Sequence, residues 1–223
     1  SLRTHGLLKK AAPTLEYGLK PVFSEKSNTA AYSDDKRNPP SSTAVTEFAL
    51  KFFPAEITEC WNVYGCTLDI LTDKALNALV SRSFRLGSRH KIAGLKARDK
   101  NSIAGLYSKR DDRIVVRGSI RQENQTRMLP ALWQNVEDIA GHEFGHFMDY
   151  VAGWQSFSDD FFRVFLDDRN IMDSYSASNP TEFFATTAWI CHRYRDIAER
   201  YIPATFAWFC GLDDVLGDLA DVR

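Results

Sequence analysis

His142-Glu143-Phe144-Gly145-His146 sits inside a stretch whose apolar residues Ile139, Ala140, Phe144, Phe147, Met148 and Val151 recur at helical spacing. That spacing predicts an amphipathic helix over Val136 to Val151, with one face in a core. On such a helix the two imidazoles stand one turn apart on the same face, and Glu143 projects beside them. Two histidines so placed can share one metal ion at about 2.0–2.1 Å, and the carboxylate can take a proton from water at a coordination position left open. The pattern therefore asks two things of the fold: a well-buried helix, and a second segment that brings a third ligand to it.

Glu182 is the candidate for that ligand, in Asn179-Pro180-Thr181-Glu182-Phe183-Phe184-Ala185. The same residues also read as a helix start, with Asn179 as cap, Pro180 in the first turn and Glu182 three residues on. On local pattern alone, capping and ligation stand equal, and Asp149, His192 and Asp196 compete for the position. Asp149 lies seven residues beyond His142, on nearly the same helical face, where it could orient a ligand from behind.

The 223 residues suit one principal domain: an irregular arm or linker over 1–45, rich in Ser, Asn, Asp and Pro after Lys26, then a domain over 46–223. Thr43 to Phe53 predicts a short helix stopped by Pro54. Glu56 to Leu71 alternates and predicts one or two strands turning at Gly65. Asp73 is expected to cap a helix through Ala75, Leu76, Leu79 and Val80. Arg113 to Gly118 is a compact β-branched run whose charged ends suit a sheet edge. Met128 to Gln134 connects to the histidine helix, and from Pro180 onward the chain reads as helical. The expected fold class is α+β, with a small twisted sheet, the histidine-bearing helix beneath it and a helical carboxy-terminal part.

No apolar run is long enough to span a bilayer, and the first residues carry no hydrophobic leader, so a soluble chain is expected. The four cysteines form no CxxC pair and read as free thiols, with a bridge between Cys60 and Cys66 left open to a hairpin. A net charge of -1 conceals an asymmetry: residues 82–127 carry thirteen Lys or Arg against four Asp or Glu, whereas residues 131–223 carry six against sixteen. Without a run of adjacent basic residues or interleaved aromatics, that asymmetry describes two solvated faces and argues against a nucleic-acid partner.

The segment His142-Glu143-Phe144-Gly145-His146-Phe147-Met148-Asp149, taken with Tyr175-Ser176-Ala177-Ser178-Asn179-Pro180-Thr181-Glu182-Phe183-Phe184-Ala185, resembles two related groups. One comprises the anthrax lethal factor catalytic domain and the Pro-Pro endopeptidases; the other is the MtfA family of bacterial zinc peptidases. The seven-residue step from Tyr175 to Glu182 and the Glu-Phe-Phe-Ala run are of the lethal-factor type. The Tyr-Ser-Ala-Ser-Asn-Pro surroundings, and Tyr201 to Cys210 with Pro203, Trp208 and Phe209, are more similar to MtfA. The resemblance covers roughly residues 130–210. It departs at Thr186, where the lethal-factor pattern carries an acidic residue that supports a ligand.

This resemblance implies a zincin-like fold and one zinc ion held by His142, His146 and Glu182, with Glu143 as general base and Tyr175 as donor to an oxyanion. The activity it implies is glutamate-liganded metalloendopeptidase action on a protein or peptide substrate. An extended substrate is expected to add to a sheet edge over the metal, with Ile114, Val115 and Val116 as the candidate strand. The alternative is a regulatory protein-binding module of MtfA type with minor peptidase activity. The MtfA likeness points to a bacterial cytoplasm and the lethal-factor likeness to a secreted or delivered effector.

Overall fold

The computed structural model describes residues 41–71, 75, 76, 78, 79, 104–109, 111–117 and 136–220. Helix α1, Ser42–Leu50, begins where the Ser41 hydroxyl accepts the Ala44 N–H at 3.1 Å, and it buries Val45, Ala49 and Leu50. The boundary expected between residues 45 and 46 therefore falls inside a helix. Pro54 ends the connection from α1 and serves as N-cap of α2, Ala55–Val63. This corrects the strand expected from Glu56. Ile57 and Trp61, the buried pair of this segment, are four residues apart, so its apolar spacing is helical rather than alternating. Gly65 turns the chain at a φ of 66°, as expected of a glycine there, and β1, Thr67–Leu71, follows.

Two further strands, β2 (Gly105–Ser108) and β3 (Arg113–Arg117), complete a mixed sheet in the order β1-β3-β2. β1 runs parallel to β3, with Leu68 opposite Ile114; β2 runs antiparallel to it, with Leu106 opposite Val115. The segment expected at a sheet edge is thus its central strand. Its β-branched run records burial on both faces: Ile114 and Val116 enter the main core, whereas Val115 packs with Leu76 on the other side. Ala75, Leu76, Ala78 and Leu79 are helical as expected, while Asp73, the basic stretch on either side of β2 and β3, the arm over 1–40 and the connector Met128 to Gln134 lie outside the described residues.

Helix α3, Val136–Val151, has the bounds its periodicity predicts and lies beneath the sheet. Glu137 and Asp138 in its first turn suit the positive end of the helix dipole. Past its end, Gly153 and Trp154 take positive φ, and the Asp149 carboxylate ties the reversal by accepting the Ser156 N–H at 2.8 Å and hydroxyl at 2.6 Å. The rest is helical: α4 (Asp159–Asp168), α5 (Pro180–Arg193), α6 (Arg195–Tyr201) and α7 (Pro203–Ala220). A cluster of Phe161, Phe183, Phe184 and Phe209 joins α4, α5 and α7. No described helix is long and apolar enough to cross a membrane, and Cys66, Cys191 and Cys210 are free thiols, so no bridge joins Cys66 to Cys60.

The closest helix pairing is α3 with α5, and it is antiparallel. At one end Asp138 accepts from Trp189 Nε1 at 2.9 Å and Arg193 Nη1 at 2.7 Å; at the other, His142 and His146 meet Glu182. Two glycines on α3 allow the approach. A Cβ at Gly145 would stand 2.3 Å from the Ala185 carbonyl oxygen, and one at Gly141 would stand 2.1 Å from the Trp189 ring. Replacing Gly145 with Ala is therefore expected to destabilise the fold by about 1–3 kcal/mol, because a backbone carbonyl has to yield. Gly211, on α7 with nothing within 4 Å of an added Cβ, gives the contrast. There, Ala is expected to stabilise by about 0.5–1 kcal/mol through helix propensity alone. Denaturant unfolding of the two variants checks both signs.

Candidate metal centre

His142, His146 and Glu182 form a triad that could hold a metal ion, all their candidate ligand atoms lying within 4.8 Å of one another. Helix α3 supplies the imidazoles. The first turn of α5 supplies the carboxylate, and its local sequence does two jobs at once. Asn179 caps the helix by accepting the Glu182 N–H at 3.0 Å, and the Glu182 side chain turns away to the histidines. Capping and ligation, equal on sequence pattern, are compatible because one uses the backbone and the other the side chain.

Glu182 Oε2 lies 3.1 Å from His142 Nε2 and 3.6 Å from His146 Nε2. Tetrahedral ligands at about 2.0–2.1 Å from zinc stand about 3.3 Å apart, so these separations fit one ion between them. The charge states agree. Burial holds His142 below its ordinary pKa and keeps it neutral. Burial also opposes ionisation of Glu182, but hydrogen bonds from His142 and His146 outweigh it and hold that carboxyl well below the usual range. His146 moves the other way: against the effect of burial, Glu182 leads Glu143 and Asp149 in raising its pKa. The field that favours a proton there equally favours a dication, which displaces protons from its ligands.

Glu143 stands beside the triad in a dry position under the sheet. Gly105 at the start of β2 makes room for it, since a Cβ there would come within 2.6 Å of Glu143 Oε1. Burial first, then the charge of Glu182, pushes its pKa up to about 8, against the opposing pull of His146 and a hydrogen bond from the Tyr107 backbone. Tyr175 faces the same site from the loop before α5. Its ring centroid is 6.1 Å from that of His142, its hydroxyl bonds to Glu182, and burial together with Glu182 raises its pKa.

Other expected site residues lie elsewhere. Asp149 bears on His146 through its charge, but its hydrogen bonds close the turn at Ser156, so it is not a hydrogen-bonded support for a ligand. The partner behind His142 is Thr186, with Oγ1 3.1 Å from Nδ1. His192 is buried between the Ala188 carbonyl and Asp213, and Asp196 is exposed at the start of α6, so neither joins the triad. Ile114, Val115 and Val116 are paired on both sides and buried, so they present no free edge to a substrate. Among the described residues β2 is paired on one side only, and it is β2 that borders Glu143.

Sequence reasoning missed β2, Gly105, Thr186, Ser176 and Asp173. The one local signal was Asp173 three residues before Ser176, a spacing that suits a side-chain-closed turn. No family model matches this chain, and comparison with curated proteins likewise gives no match.

The raised Glu143 pKa yields a stability prediction for the metal-free protein. A group whose pKa rises on folding stabilises below its unfolded value and loses that contribution as pH climbs, here from 4.5 to about 8. Glu143→Gln, neutral throughout, is expected to stabilise the chelated protein by about 1–3 kcal/mol at pH 7, with the gain vanishing near pH 4. Thermal melts across that range check it.

Proposed function

We propose that this chain is a zinc-dependent metalloendopeptidase of the glutamate-liganded type, hydrolysing peptide bonds of a protein substrate in a zincin-like domain that begins near α1. The observation that carries the reading is the convergence of Glu143 and Tyr175 on the His142–His146–Glu182 triad. A bare metal site needs neither of them. The likeness of these residues to the lethal-factor and MtfA groups supports the same assignment.

Zinc held by the triad would supply Lewis acidity, polarising a peptide carbonyl and lowering the pKa of water from about 15.7 toward 7. Glu143 takes a proton from the attacking water and passes it to the leaving amine. Its dry setting beside Ile139 and under Gly105 keeps bulk water from competing for that proton. Tyr175 donates its hydroxyl proton in a hydrogen bond to the oxyanion developing on the carbonyl, and its phenol, whose pKa desolvation and Glu182 raise, stays protonated to do so. β2, bordering Glu143, takes the substrate-pairing role first expected of Ile114, Val115 and Val116.

Three substitutions test this scheme. Glu143→Gln is expected to retain one zinc per chain while peptide cleavage falls by about 10²- to 10⁴-fold. Normal turnover by that variant removes the mechanism. Glu182→Ala is expected to lose bound zinc, whereas a residue serving only as part of a helix start would cost stability alone, about 0.5–2 kcal/mol. Tyr175→Phe is expected to lower kcat by about 10²- to 10³-fold with zinc content unchanged. Cleavage-site profiling on a peptide library, with metal analysis of the same samples, provides the readouts.

A further inference from the structure

Behind the triad runs a chain of polar groups for which the lethal-factor likeness offers no counterpart. Thr186 Oγ1 lies 3.1 Å from His142 Nδ1, Ser176 Oγ lies 3.1 Å from Thr186 Oγ1, and the Ser176 hydroxyl donates to Asp173 Oδ2 at 2.8 Å. Ser176, Thr186 and His142 are all buried, so bulk water does not substitute for a link in the chain.

The direction of the hydrogen bonds follows from its far end. A carboxylate only accepts, so Ser176 spends its single proton on Asp173. Ser176 can then meet Thr186 only as acceptor, and Thr186 spends its own proton there. Thr186 is left an acceptor toward His142, whose Nδ1 must carry the proton. The lone pair of His142 is thereby assigned to Nε2, the nitrogen that faces Glu182 at 3.1 Å. With a cation on Nε2 every contact along this chain carries one hydrogen, whereas the reverse polarity would deny the cation that lone pair and leave the Thr186–Ser176 contact without a hydrogen in a buried site, which is costly.

We propose that Asp173, Ser176 and Thr186 form a hydroxyl relay that fixes the tautomer and ring orientation of His142 for metal binding, replacing the direct carboxylate support absent at Thr186. This rests on the metallopeptidase reading for its purpose, but its geometry stands on the metal-free protein. Asp173 serves a second arm as well: its Oδ1 accepts the backbone N–H groups of Tyr175 at 2.9 Å and Ser176 at 3.0 Å. One carboxylate therefore orients both a metal ligand and the loop carrying the oxyanion donor. All three are positioning residues, none of them touching substrate.

The test separates the relay from the function. Thr186→Val keeps the shape of the side chain and removes the acceptor, so zinc affinity, measured by competition with a chromophoric chelator, is expected to weaken by about 10- to 100-fold. Thr186→Ser is expected to restore it. The double variant Thr186→Val/Asp173→Asn should bind zinc no more weakly than its weaker single parent, because both changes break one chain. Should Thr186→Val fail to fold, Ser176→Ala breaks the next link and is read the same way. In the zinc-bound wild type, ¹⁵N NMR of the histidine side chains is expected to show a proton on His142 Nδ1. A bare Nδ1, a loss below about tenfold, or additive losses in the double variant overturns the relay. Zinc binding without peptide cleavage would instead overturn the metallopeptidase reading, with the affinity and NMR results still deciding the relay, and a wild type that binds no zinc overturns both.

Discussion

The near-contact of α3 and α5 is the constraint on which the rest of the structure depends. Where Gly145 passes the Ala185 carbonyl and Gly141 passes the Trp189 ring, the helices lie too close for any side chain on α3. That closeness brings Glu182 within 3.1 Å of His142, a separation that one methyl group at Gly145 would disturb. The glycine of the histidine motif, Gly145, is thus a packing requirement of the site as much as the polar residues of the motif are chemical ones.

Burial on this scale concentrates polar groups that are costly in isolation, and the fold answers several of them with a partner. Asp138 receives Trp189 and Arg193, Asp149 closes on Ser156, Asp168 accepts the Thr205 N–H and hydroxyl at the start of α7, and His192 is clamped against Asp213. Each of these ties joins segments that hydrophobic packing alone could slide past one another. At the triad the same logic leaves one carboxylate oxygen facing two ring nitrogens. A divalent cation held there would serve all three groups at once.

The site also shows how one environment sets different tasks for similar groups. Glu143 and Glu182 are carboxylates at one opening, yet one is raised to about 8 and the other held well below the usual range. The difference is contact: Glu182 receives both histidines, whereas Glu143 meets mostly apolar surface and a second negative charge. A carboxylate held ionised suits a ligand, and one whose affinity for protons is raised suits a base.

Much of this was legible in residue order. The period of Ile139, Phe144, Phe147 and Met148 determined α3 to its ends, and the four-residue step from His142 to His146 determined that one face carries both imidazoles, because helical geometry is local. Asn179 and Pro180 likewise announced the start of α5. What failed was whatever depends on neighbours distant in the chain. Ile57 and Trp61 read as strand until a core claimed them four residues apart, and Ile114 to Val116 read as an edge until β1 and β2 paired with both sides. Asp149 stood on the right helical face but was taken by Ser156, while Thr186 and Asp173, forty-four and thirty-one residues beyond His142, gained their roles only when α5 packed on α3. The sequence by itself determined which side chains could bind a metal; only tertiary packing decided which carboxylate completes the triad and what stands behind it, because hydrogen bonds and coordination depend on distance in space rather than along the chain.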